Sequence, residues 1–298
     1  MDDVQNKVAF ITGAATGIGL GIARTLARAG MQLAMTDVRA AVLQKSAATL
    51  AAEGARVTAI ALDVTDRAAW IAAADRAERE LGPVSVLCSN AGVNFIGSTT
   101  TATYQDWEFA LGVNLGGAIN AIHTFAPRMI AARRPGHITI TSSVAGLFTS
   151  GGTGVYTTTK YALVGLAECL RADLKPHGIG VSVVCPGPVQ SELFESTMAT
   201  RPAALAETGS IPVVPPGVVR ERTPIFKTAL TGDDVGRRVL EGIRRNDLYI
   251  MTHPEIRPVL EARAAALLAA LPDEAVDPAR IEASHRLLDT SLYANAKS

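Results

Sequence analysis

The chain has 298 residues, 48% hydrophobic and 19% charged, which is ample material for a core buried on both faces of a sheet and the wrong balance for a disordered polypeptide. Lys plus Arg and Asp plus Glu both number 28, removing any global electrostatic attraction to nucleic acid or to an anionic membrane. Three scattered cysteines, Cys88, Cys169 and Cys185, and five histidines without ligand-pair spacing argue against a disulfide framework and against a bound metal.

The opening Met1-Asp2-Asp3-Val4 has no basic segment followed by an apolar one, and no run reaches bilayer-spanning length. A cytoplasmic protein is therefore expected. Over the first 190 residues, short β-branched runs alternate with longer Ala-rich segments of helical periodicity. Strands are expected at 8–12, 33–36, 57–61, 84–88, 137–141 and 179–184, with helices at 18–29, 39–53, 66–81, 104–132 and 156–176. Such alternation predicts an α/β fold, a single doubly wound parallel sheet with helices on both faces. From 191 to about 230 the pattern breaks into Pro, Gly and Thr mixed with apolar residues, as in Ile211-Pro212-Val213-Val214-Pro215-Pro216. That composition reads as a mobile lid over a binding site. Thr231-Gly232-Asp233-Asp234 reads as a helix start and 248–251 as a last strand, making about seven strands in a domain spanning 1–253. Residues 254–298 read as a C-terminal extension with amphipathic helices at 258–271 and 279–292.

The first strand runs into Thr12-Gly13-Ala14-Ala15-Thr16-Gly17-Ile18-Gly19 and then into a helix. Glycines at that junction let the backbone approach a pyrophosphate, while the helix start offers unpaired N–H groups and a positive dipole end. At the end of the second strand, Asp37-Val38-Arg39 places a carboxylate where it can accept hydrogen bonds from ribose hydroxyls and repel a 2′-phosphate, so NAD is expected over NADP. Arg39 leaves NADP open as the alternative, because a cation can hold that phosphate. Asp63-Val64 and Asn90-Ala91-Gly92 fall at further strand ends, where ligands of open α/β sheets bind.

Tyr156 and Lys160 stand four residues apart at a helix start, on one face, thirteen residues beyond Ser143 at a strand end. A phenol is a poor base near neutrality, and a neighbouring ammonium and a nicotinamide cation are expected to favour its phenolate. Ser143 is suited to hydrogen-bond a substrate oxygen, whereas Ser142 faces the other way in a strand.

In these motifs the chain resembles the short-chain dehydrogenase/reductase family over about 250 residues. The resemblance implies a Rossmann-type fold and a hydride transfer between NAD(H) and a secondary alcohol or ketone. It implies catalytic roles for Ser143, Tyr156 and Lys160, with Lys160 also holding the nicotinamide ribose, and points to Asn114 as the residue that holds a water in a proton relay to Lys160. Cys185-Pro186-Gly187-Pro188-Val189-Gln190-Ser191 looks like the family's Pro-Gly turn against the nicotinamide, with Pro186, Gly187, Val189 and Ser191 as cofactor contacts and Ser191 in place of the usual threonine. Ser89 likewise replaces the usual first asparagine of Asn-Asn-Ala-Gly. The family also implies a homodimer or homotetramer paired through the long helices.

Phe95, Ile96, Val144, Leu147, Phe148, Val189, Leu193 and Phe194 flank the site and suggest a bulky hydrophobic or aromatic substrate. Among them Phe95, Val144, Phe148, Leu193 and Phe194 are the expected substrate contacts. Arg201, Arg220 or Arg222 could reach a substrate carboxylate. The segments Arg128-Met129-Ile130-Ala131-Ala132, Arg134-Pro135-Gly136-His137-Ile138 and Asn246 to Arg257 resemble the branch that includes the Cα-dehydrogenases of lignin-dimer breakdown, which oxidise benzylic alcohols with NAD. The rival readings are an NADP(H)-dependent ketone reductase and a catalytically silent NAD-binding sensor or scaffold; the latter would be marked by loss of the tyrosine or the lysine, and both are present.

Overall fold

The computed structural model describes residues 1, 3–205, 228–284 and 291–293. Strand β1 (Val8–Thr12) leads through the glycine turn into α1 (Gly17–Arg28), followed by β2 (Gln32–Asp37), α2 (Ala40–Ala52), β3 (Val57–Ala61), α3 (Arg67–Leu81) and β4 (Val84–Ser89). Next come α4 (Tyr104–Leu111), α5 (Gly117–Ala132), β5 (Gly136–Thr141), α6 (Gly154–Leu174) and β6 (Ile179–Cys185). Two short strands, β7 (Val189–Gln190) and β8 (Leu230–Thr231), pair with each other around α7 (Leu193–Thr200). Helix α8 (Gly232–Arg245) and strand β9 (Tyr249–Met251) complete the sheet, and α9 (Arg257–Ala269) and α10 (Pro278–Ser284) follow.

Among the described residues seven strands form one sheet in the order β3-β2-β1-β4-β5-β6-β9, every pairing parallel. Parallel strands need crossover helices, which cover both faces and force the central strands to be apolar throughout; all five residues of β1 are buried. One face packs against α3, α5 and α6, where Phe10, Trp70 and Phe125 form an aromatic cluster with ring centroids 4.6–6.4 Å apart. The other packs against α1, α2 and α8 through Ile22, Leu26, Leu43, Val235, Val239 and Ile243. Chain order reverses between β1 and β4, so a crevice opens at the carboxyl ends of those strands.

Helix α8 starts as expected: Thr231 accepts from the Asp234 N–H while the Asp234 carboxylate accepts from the Thr231 N–H, a reciprocal cap. Two expectations need amendment. The helix expected over 104–132 is interrupted by a π-helical turn, Gly112–Gly116, which separates α4 from α5 and carries Asn114. In the lid, residues 193–200 are helical, and that helix is held fast. The Thr197 hydroxyl accepts from the Asn94 N–H at 2.9 Å, and Arg201 donates to Asp106 at 2.5 Å with both side chains buried. The Pro-rich part of the lid and the end of the second tail helix lie outside the described residues. Helices α9 and α10 bury none of their residues. No described helix is long and apolar enough to cross a membrane.

Candidate active site

Most of the residues expected to carry the chemistry gather at the carboxyl edge of the sheet, around a cavity of about 680 Å³. Gly13 and Gly17 take φ of 62° and 57°, a region that side chains with a Cβ rarely enter. At Gly19 a Cβ would stand 2.0 Å from the Gly13 carbonyl oxygen, so the loop can only fold back on itself with glycine there. Thr16 precedes α1 without its side chain capping the helix, and no acidic residue occupies the first turn. The leading N–H groups of α1 thus remain available to an anion in the cavity. The Asn90 amide donates to the Thr12 carbonyl at 3.0 Å, and the Thr12 hydroxyl accepts from the N–H groups of Asn90 and Ala91 at 2.9 Å each. These bonds clamp the β4 end to the glycine loop.

Asp37 ends β2 and is buried, with Oδ2 accepting from the Ala15 N–H at 3.2 Å and Oδ1 from the Arg39 N–H at 3.0 Å. The Arg39 guanidinium folds back onto its own strand end. It donates to Asp37 at 3.3 Å and to the Thr16 hydroxyl at 2.9 Å, and stands 4.0 Å from Glu192. Val38, Asp63 and Val64 complete this end of the cavity wall.

Ser143, Tyr156 and Lys160 all reach the same cavity. β5 ends at Thr141, and Ser143 caps a short 3-10 turn there, its hydroxyl accepting from the Ala145 N–H at 3.1 Å and donating to the Pro186 carbonyl at 3.4 Å. Tyr156 lies in the first turn of α6 and Lys160 one turn on, with its Nζ 5.4 Å from the phenol ring centroid and donating to the Thr141 carbonyl at 3.1 Å. The Ser142 hydroxyl donates to the Lys160 carbonyl at 2.8 Å, pinning α6 against the end of β5.

Burial dominates the ionisation of both groups. It pushes the Tyr156 phenol up, opposed by a hydrogen bond with Ser143, and it brings the Lys160 ammonium down to about 8. The expectation that the ammonium lowers the phenol is therefore outweighed within the protein itself, because removing both groups from water penalises each charged form.

Asn114 lies behind the wall rather than in it. Its Oδ1 accepts from the Val93 N–H at 2.7 Å, and its Nδ2 donates to the Val93 carbonyl and the Thr159 hydroxyl at 3.0 Å each. The side-chain amide is thus committed to tying the β4 loop to α6. A Cβ at Gly92 would stand 3.1 Å from Asn114 Oδ1 and 3.6 Å from Lys160 Nζ, so a larger residue there would press on the Asn114 amide.

Pro186, Gly187, Val189 and Ser191 line the cavity beside Tyr156, as do Ala91, Gly92, Leu193 and Phe194. Phe95, Val144 and Phe148, expected at the substrate, do not. Phe95 is fully buried against Ala110 and Val155, while Val144, which opens the 3-10 turn after Ser143, and Phe148 beyond it are not among the described residues that line the cavity. Arg201 is committed to Asp106 and to the Leu205 carbonyl at 3.1 Å, so it does not extend towards a substrate carboxylate. Arg220 and Arg222 lie outside the described residues. Instead α4 and the π turn contribute Glu108, Phe109 and Val113, and the lid contributes Thr200 and Pro202. No spacing in the sequence marks these residues, because only the packing of α4 across the crevice exposes them.

Comparison with known proteins places this geometry in context. The family profile described as short chain dehydrogenase matches residues 7–202. A C alpha-dehydrogenase of Sphingobium sp. is 38% identical over 279 residues, 93% of this chain and 90% of that protein. Among solved structures, a short chain dehydrogenase/reductase of Burkholderia phymatum in complex with NAD superposes with a TM-score of 0.82 at 33% identity, over 93% of this chain and all of that one. The apo form of LigD from Sphingobium sp. superposes at 0.77 and 34% identity, over 91% of this chain and 100% of that one.

Proposed function

Since the chain belongs to the short-chain dehydrogenase family, in the branch of that C alpha-dehydrogenase, we propose that it is an NAD-dependent oxidoreductase interconverting a bulky hydrophobic or aromatic secondary alcohol and its ketone, with Tyr156 as general acid–base. One observation carries the reading: the Ser143 hydroxyl, the Tyr156 phenol and the Lys160 ammonium share a single cavity with the uncapped start of α1 and the buried Asp37 carboxylate. NAD, when bound, supplies the hydride-accepting and hydride-donating capacity that no side chain here possesses.

The backbone of Gly13, Thr16, Gly17, Ile18 and Gly19 is suited to the pyrophosphate, and the Asp37 carboxylate to the adenosine ribose hydroxyls. Two features support NAD over NADP. A 2′-phosphate would meet the buried Asp37 carboxylate, and the guanidinium of Arg39 is already spent on Asp37 and Thr16. Pro186, Gly187, Val189 and Ser191, with Asn90, Ala91 and Gly92, form the wall assigned to the nicotinamide half.

Ser143 donates to the substrate oxygen and steadies charge developing on it. During oxidation Tyr156 takes the hydroxyl proton as the carbinol carbon gives up its hydride; during reduction it returns that proton to the ketone oxygen. Lys160 supplies the nearby positive charge that favours the phenolate. Ile96, Phe109, Val113, Leu193 and Phe194 give the remaining wall a large apolar part beside the carboxylates of Glu108, Glu192 and Glu195, which supports a large aromatic substrate. The same reading includes assembly into a homodimer or homotetramer.

The test is NADH formation with aryl secondary alcohols beside small aliphatic ones, with NAD and NADP compared. Turnover with aryl alcohols and NAD, lowered about 10²–10⁴-fold in Tyr156→Phe, is expected. Nucleotide binding without turnover on any alcohol or ketone, or turnover unaffected by the loss of the phenol, would establish the silent reading or a different acid–base group.

A further inference from the structure

His253 follows β9, more than sixty residues beyond the Pro186-Gly187-Pro188 turn in sequence, yet it holds that turn from behind. The Gly187 N–H donates to His253 Nδ1 at 3.1 Å, and His253 Nε2 lies 3.1 Å from the Pro188 carbonyl oxygen. An amide N–H can only donate and a carbonyl can only accept, so Nδ1 is the bare nitrogen and Nε2 carries the proton. The buried Thr252 hydroxyl stands 2.6 Å from the same Nδ1 and accepts a longer bond from the Gly187 N–H at 3.4 Å. The imidazole also packs directly on Gly187, where a Cβ would come within 2.8 Å of His253 Cγ. Two successive residues of a turn that faces the cavity are thus fixed by one neutral ring.

We propose that His253 is a positioning residue for the nicotinamide half of the cofactor, acting through the Pro186-Gly187-Pro188 turn, which it locks in shape without entering the cavity. The proposal rests on the NAD reading above. A Pro-Gly-Pro sequence has few backbone donors of its own with which to hold a fixed shape, and Gly187 provides the single N–H of the three residues. Without the His253 acceptor that N–H keeps only its longer bond to the Thr252 hydroxyl at 3.4 Å, and the turn is held less firmly.

Binding of NAD, AMP and ADP-ribose to the protein alone, followed by calorimetric titration, separates the possibilities. AMP and ADP-ribose lack the nicotinamide and should bind His253→Phe as they bind the wild type. NAD should bind His253→Phe about tenfold more weakly, the size expected for one well-made hydrogen bond of about 1.4 kcal/mol. His253→Asn retains an acceptor near the position of Nδ1 and should fall between Phe and the wild type; if the Phe variant does not fold, weaker NAD binding by the Asn variant with unchanged AMP binding decides the matter. Unchanged NAD affinity in these variants overturns the proposal, as does a parallel loss for all three ligands. A wild-type protein that binds AMP and NAD with equal affinity sinks the cofactor reading itself, and the proposal with it.

Discussion

Replacing Lys160 by Met should make the resting protein more stable at neutral pH while abolishing its activity. Lys160 is only 4% exposed, its ammonium has no carboxylate partner among the described residues, and burial brings its pKa from 10.5 down to about 8. That fall corresponds to about 3 kcal/mol of differential stabilisation between the charged and neutral forms. Below about pH 8 the side chain is protonated in both the folded and the unfolded chain, so the full cost of burying the charge is present. Between about pH 8 and 10.5 the folded protein has lost the proton and the unfolded chain still holds it. Stability therefore rises with pH across that window. Against this, the substitution removes the bond to the Thr141 carbonyl, worth about 1.5–2 kcal/mol for a charged donor, leaving a net gain of about 1–2 kcal/mol at pH 7. Urea denaturation at a series of pH values measures both quantities. The wild type should gain about 3 kcal/mol relative to Lys160→Met between about pH 7 and 10.5. Taking the difference cancels the opposing titration of Cys88, whose buried thiol is pushed up to about 12, and making the comparison in a Cys185→Ala background removes the Cys185 thiol, which the Lys160 charge itself lowers. Parallel stability curves for the two proteins, or a variant destabilised by more than about 1 kcal/mol at pH 7, would refute the reasoning.

Asp37→Ser removes the buried carboxylate and frees Arg39 from it, so the preference for NAD over NADP should fall by at least about tenfold, one lost charge interaction of about 1.4 kcal/mol, as read from the ratio of kcat/KM values. Breaking the buried Arg201–Asp106 pair with Asp106→Asn should cost about 3 kcal/mol of stability, because it removes a carboxylate from beside a buried guanidinium; a thermal scan showing no change would mean that the pair is not closed in solution. His137 is buried between β-strands, with Nε2 2.8 Å from the Ser182 hydroxyl and its pKa lowered to about 3 from 6.5. The unfolded chain takes up this proton first as pH falls, so about 5 kcal/mol of stability should be lost between about pH 6.5 and 3. His137→Gln should show a shallower acid limb in urea titrations, and an unchanged limb would assign acid sensitivity elsewhere.

The described part of the lid and the cavity rim show a site built on fixed elements. Helix α7 is held by Thr197 to the β4 loop and by Arg201 to α4, and α6, which carries Tyr156 and Lys160, is held by Ser142 and by the Asn114–Thr159 bond. Such anchoring keeps reacting groups within the narrow geometric tolerance that proximity effects require. The exposed apolar residues of the tail, Leu267, Leu268, Leu271 and Val276 among them, stand apart from this framework.

Most strand and helix positions, the glycine turn, Asp37 at the end of β2 and the Ser143, Tyr156 and Lys160 set were legible in the amino-acid order, whereas the 193–200 helix and the break in the 104–132 helix were not. Periods of two and 3.6 residues, glycine spacing and a pair four residues apart on a helix are local properties, and a parallel sheet then brings all its strand ends to one edge. Long-range packing decided the rest. It turned 112–116 into a π turn that presents Asn114 to Val93 and Thr159, sealed Phe95 in the core, spent Arg39 on Asp37 and Arg201 on Asp106, and set His253 behind Gly187. Each of these depends on which polar group has its best partner close by once water is excluded. For most of them the partner is tens of residues away, so no window of sequence contains both members of the contact.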